Sequence, residues 1–248
     1  MKLTNLAVLL LLTQTLFAET GGGGHESSGG GHYVPGVAKL VVNCGDLTKQ
    51  WPTLKQEMKA QFDLAPQCDG VSGHFAQAAW ILKAHFPKYY QEIKDNVKVI
   101  EIRNEALHFA AYTWRKEAKI ALYPAFGNTE VETAIALLVH EGAHLKIDAP
   151  DHVRCVGGAY KGQLACDQRF TGDLTDGPYS YELELLLDMG IYLMEHEGFD
   201  LLKIGRIGKR LRFLYENKFN VIDVRKTLPA KVDRALSAME EYARRREQ

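Results

Sequence analysis

Residues 133–144 read Thr133-Ala134-Ile135-Ala136-Leu137-Leu138-Val139-His140-Glu141-Gly142-Ala143-His144. Val131, Ala134, Leu137, Leu138 and Leu145 recur at helical spacing and supply one buried stripe. Asn128 or Thr129 is placed to cap such a helix, and Thr129-x-x-Glu132 has the form of a capping box. Side chains four apart on a helix share a face, with Cβ atoms roughly 5–6 Å apart, so His140 and His144 can reach one metal ion. Glu141 then stands beside the open coordination position. A carboxylate there can take a proton from water whose pKa a zinc ion lowers to roughly 7. The H-E-x-x-H spacing therefore predicts a zinc site on a helix, with Glu141 as general base.

Upstream of this helix the period changes. Val97-Lys98-Val99-Ile100-Glu101-Ile102 is rich in β-formers, and Leu107, Phe109, Ala111 and Thr113 alternate with other residues. Lys119-Ile120-Ala121-Leu122-Tyr123 follows the charged turn Arg115-Lys116-Glu117. Three short strands in succession predict an antiparallel meander that feeds the helix. Before it, Ala38–Val42 reads as a short strand, Pro52 opens a helix through Phe62, and further helices cover Gly73–Phe86 and Pro87–Asp95. After it, Asp148-Ala149-Pro150-Asp151 ends the helix and a polar, Gly-rich stretch runs to Pro178. A loop of that length is usually functional or disordered. Helices are then expected at 179–197, 201–218 and 230–246. The expected class is α+β: a short meander, the H-E-x-x-H helix and a mainly helical C-terminal half.

The N-terminus reads as a secretory signal peptide, residues 1–18. Lys2 precedes an apolar run from Leu6 to Leu12, and Leu16-Phe17-Ala18 offers the cut. The run is shorter than the ~20 apolar residues a membrane span needs, and no cysteine stands near the cut, so a stable membrane anchor is not expected. Residues 19–36 are a Gly/Ser/His-rich flexible linker, and 37–248 are read as a single domain. The net charge is −1 and the signal removes only Lys2 among charged groups, which leaves nothing to draw nucleic acid in bulk. Trp51, Trp80 and Trp114 read as core residues and Arg244-Arg245-Arg246 as a solvated helix end. Four cysteines in an exported chain predict disulfides, with Cys44–Cys68 and Cys155–Cys166 as the local pairing. The rival reading, zinc held by these cysteines, finds no C-x-x-C. The chain is thus expected in the periplasm or outside the cell.

A catalytic zinc takes three protein ligands and leaves one position for water. Metzincins place the third histidine six residues after the second; here that position is Pro150, with Ile147 where that family has glycine. The helix from Tyr179 contains Glu184-Leu185-Leu186-Leu187-Asp188. Together with H-E-x-x-H it resembles the E-x-x-x-D element of gluzincin metallopeptidases, the thermolysin and neprilysin type. Only these two short elements carry the resemblance, and they stand further apart than in thermolysin. It implies a zincin-like fold, with His140, His144 and Glu184 as zinc ligands, Glu141 as general base and Asp188 orienting His140. It also implies a peptide or protein substrate laid along the sheet edge, here the 118–123 strand. Glu182 is the rival ligand, because it shares a stripe with Leu186, Met189 and Leu193, and an unpaired buried charge costs several kcal/mol. Asp148, Asp151 and His152 are the remaining choices. Tyr179, Tyr181, His152 and Arg154 fall near the expected cleft.

Two other classes compete. A secreted metal-binding or interaction module would carry the motif without turnover. A di-iron carboxylate protein would use Glu105-x-x-His108 with Glu141-x-x-His144. The oligomeric state is not readable from the chain.

Overall fold

Pro87 divides one helical stretch into α1 (Gly70–His85) and α2 (Pro87–Asn96). Its ring pre-sets φ and it has no N–H to lose, so it occupies the first position of the second helix. The computed structural model describes residues 70–107, 109–146, 151–171, 176–195, 201–222, 234–239 and 241. The expected signal and linker, the elements at 38–42 and 52–62, and the Cys44–Cys68 pairing lie outside the described residues.

Three strands follow: β1 (Val99–Ile102), β2 (Ala111–Trp114) and, after a 3-10 turn at Arg115–Glu117, β3 (Lys119–Leu122). Their order is β1-β3-β2, with β1 parallel and β2 antiparallel to β3. The expected antiparallel meander is therefore corrected. Burial explains the order. Ile120, Ala121 and Leu122 are fully buried, so β3 carries apolar side chains on both faces and takes the centre. Tyr112 is half exposed, which suits the edge that β2 forms. The edge on the helix side is thus β2, in place of the 118–123 strand.

A short helix α3 (Pro124–Gly127) leads into α4 (Val131–Ala143). The N-cap of α4 is Glu130, without a side-chain bond, whereas Thr129 donates its hydroxyl back to the Phe126 carbonyl. The expected cap at Asn128 or Thr129 is corrected for that reason: the end of α3 takes the Thr129 hydroxyl first. Helix α4 packs against α1, α2, β2 and the later helix α5 (Pro178–Glu195), which in turn packs on α6 (Leu201–Asn217). Gly142 lets α2 approach closely, because a Cβ there would lie 3.1 Å from Ile93 Cγ1.

The polar stretch after α4 folds in part. β4 (Val153–Arg154) pairs antiparallel with β5 (Leu164–Phe170) across a register shift, and β6 (Phe219–Ile222) pairs parallel to β5. Charged and amide residues Asp167, Gln168 and Arg169 hide the period-2 signal of β5 in the sequence. A Cys155–Cys166 disulfide closes the hairpin, with Cα atoms 5.2 Å apart. Such a bond fits an extracellular or periplasmic location. No described helix is long and apolar enough to cross a membrane. The class is α+β, as expected.

Gly142→Val is expected to lower stability by about 1–3 kcal/mol through overpacking against Ile93. Gly157→Ala, which meets nothing within 4 Å, should stay within about 0.5 kcal/mol of the parent in the same urea titration. Equal effects at the two positions would contradict the α2–α4 contact.

Candidate metal centre

The last turn of α4 carries His140 and Glu141, and His144 follows as its C-cap residue. His152 stands just before β4. One ligand-capable nitrogen from each of His140, His144 and His152 lies within 4.8 Å of the others. His140 Nε2 and His152 Nε2 are 3.2 Å apart.

Carboxylates back the rings. His152 Nδ1 lies 3.1 Å from Asp167 Oδ1. His140 Nδ1 is 3.1 Å from Glu182 Oε2, at ion-pair distance but not aligned for a hydrogen bond. His144 Nδ1 is 3.8 Å from the exposed Asp151. Asp167 also accepts the backbone N–H groups of Tyr179 and Ser180, at 2.8 and 3.3 Å, which caps α5. Gly177, at φ +152°, is required here, since a Cβ would fall 2.4 Å from Asp167 Oδ2. Tyr179 stacks on His152 with ring centroids 4.6 Å apart and meets His140 edge-on at 4.5 Å. Behind Tyr179 the buried Lys218 places its ammonium 5.0 Å from that ring and 3.5 Å from the Tyr160 ring. Burial, aided by nearby Arg210, brings the Lys218 pKa down to about 8.

These groups fit a cation. If each Nδ1–H is turned toward its carboxylate, the Nε2 atoms of His140 and His152 face each other with lone pairs, an arrangement that a shared positive ion relieves. Two nitrogens each about 2.0–2.1 Å from a tetrahedral ion stand roughly 3.3 Å apart, close to the separation seen. Burial, reinforced by His140, His152 and Arg115, lowers the His144 pKa to about 2 and keeps it neutral, the form that binds metal.

Glu182 is fully buried. Burial alone would raise its pKa; Arg210, with Nε and Nη2 at 2.8 and 2.7 Å from Oε1, and His140 reverse this and hold it at about 2.

The glutamates expected as third ligand take other places. Residues 182 and 184 are about 200° apart around α5. With Glu182 behind His140, Glu184 turns away, where its carboxylate lies 3.5 Å from Lys88. Asp188 shares that face and accepts the Tyr89 hydroxyl at 2.8 Å, so it does not orient His140. Glu182 occupies the orienting position instead. Tyr181 bonds Lys146 away from the histidines, and Arg154 donates to the Gly162 carbonyl within the hairpin. Glu105 pairs with Arg103, while His108 and Asp148 lie outside the described residues. Asp167, Arg210 and Thr113 had no signal in the sequence; each reaches the site from a separate element.

The histidines floor an open cleft of about 930 Å³ whose walls include Tyr112, Trp114, Lys116, Glu141 and Tyr179. Fold and site together define an α+β chain with a three-histidine centre that could bind a metal ion. No protein-family model, curated protein or solved structure matches the chain.

Two predictions follow the charges. Glu182→Gln leaves the partly buried Arg210 without its charged partner and should cost about 1–3 kcal/mol in denaturant titration. The metal-free protein should lose stability as pH falls. His144 is neutral in the fold but protonates near 6.5 when unfolded, so the loss begins there; Glu182, held at about 2, adds to it below about 4.5. Melting temperature against pH reads both, and a level profile from pH 7 to 4 would contradict an imidazole held neutral in the fold.

Proposed function

We propose that the chain is an exported zinc-dependent hydrolase, a peptidase of the H-E-x-x-H kind, with His140, His144 and His152 as ligands and Glu141 as general base. The convergence of three imidazoles beside Glu141 in one open cleft carries the reading. A third histidine stands where the gluzincin resemblance implies a glutamate. Imidazoles backed by carboxylates suit zinc. When bound, zinc would supply Lewis acidity and lower the pKa of water to roughly 7.

The chain's own groups supply the remainder. Glu182 and Asp167 orient His140 and His152, and Tyr179 packs against both rings. Glu141 accepts a proton from the attacking water and returns it to the leaving nitrogen as the peptide bond breaks, which balances the hydrolysis. The edge strand β2 lines the same cleft and offers backbone groups to an extended peptide. The Cys155–Cys166 bond supports an exported location.

Elemental mass spectrometry of purified protein should find one zinc per chain, lost in His144→Ala and His152→Ala and kept in Glu184→Ala. Glu141→Gln should keep zinc while peptide cleavage falls by about 10²-fold or more. Zinc indifferent to His152, or full cleavage by Glu141→Gln, would overturn the assignment.

A further inference from the structure

Thr113 projects from the edge strand β2 toward the end of α4 and places Oγ1 2.5 Å from Glu141 Oε2 and 2.9 Å from the Glu141 backbone carbonyl. That carbonyl is one of the unpaired acceptors of a helix end, since the Leu145 N–H bonds Gly142 instead. Two of the three acceptor oxygens of Glu141 thus meet one hydroxyl from another element. Thr113 is β-branched and stiff at χ1, and it sits in a strand paired to β3, so the hydroxyl is presented from a rigid support.

We propose that Thr113 is the positioning residue for Glu141: its hydroxyl holds one carboxylate oxygen and leaves the other to meet water. This rests on Glu141 being the general base. The hydroxyl has a single proton and two acceptors. It donates to Oε2 while Glu141 is a carboxylate. Once Glu141 has taken the proton of water on its other oxygen, Oε2 is the carbonyl oxygen of the acid and still accepts from the Thr113 hydroxyl. The Thr113 proton never leaves Oγ1, so the proton balance of the hydrolysis is unchanged. Glu141 keeps its place through uptake and return of the proton, where misplacement of a reacting group by about 1 Å can cost 10²-fold.

The test compares Thr113→Val, Thr113→Ala and Thr113→Ser with the parent and with Glu141→Gln. Valine keeps the shape and removes the hydroxyl. The expected result for Val and Ala is kcat down about 10- to 100-fold with KM and zinc content unchanged, and for Ser recovery to within about threefold. A second readout is independent of turnover. In crystals of metal-free protein the Glu141 carboxylate should stay against residue 113 in the parent and Ser forms and swing away in the Val form. Parent-level kcat in both Val and Ala, a Ser variant as slow as Val, or a carboxylate that stays put in Val would overturn the proposal. The Glu141→Gln control separates the two failures. If it is inactive while Thr113→Val equals the parent, only the role of Thr113 falls; if it is active, the general-base assignment falls first.

Discussion

A carboxylate with no exposure to water, Glu182, is tolerated inside this protein because Arg210 reaches it from α6 and His140 faces it from α4. Removing one partner would strand a charge in the interior, so the Glu182 contacts couple the placement of three helices whose apolar faces share one core. The direction of every other residue on α5 follows from it. Leu186, Met189 and Leu193 lie buried, while Glu184 and Asp188 turn to Lys88 and Tyr89 of α2. The pair therefore assigns the acids of α5 to their tasks.

A second buried carboxylate performs the equivalent duty for the hairpin. Asp167, beside Cys166 on β5, receives His152 and the first amides of α5 at once. The disulfide, the strand pair and the start of α5 meet at this residue, so His152 is held by several elements although it stands just before a two-residue strand. Sites whose ligands are locked by their neighbours bind metal with less reorganisation. Thr113 extends the principle to Glu141 from a third direction.

Much of the local structure was legible. Pro87, the apolar stripe of α4 and the β-rich runs near 99–102 and 119–122 placed their elements within a few residues. Strand order was not, because the choice between neighbours depends on which strand buries both faces, and Ile120-Ala121-Leu122 reveals that only when α4 and its companions cover it. The cap of α4 was misplaced for a similar reason, since Thr129 had a nearer acceptor at Phe126. In the site, His140, Glu141 and His144 were readable because a helix repeats at a short, known spacing. His152 stood only among the remaining choices, and Asp167, Arg210 and Thr113 went unseen.

The sequence by itself determined the α+β class and the helix that carries two of the clustered imidazoles and Glu141, because periodicity and four-residue spacing are properties of neighbours in the chain. Only the tertiary structure decided that a third imidazole joins them while both candidate glutamates of α5 do other work. That choice turns on which face of α5 meets Arg210 and His140 and on where the disulfide hairpin returns. It is a balance of burying charge against pairing it, and the partners are brought together only by folding.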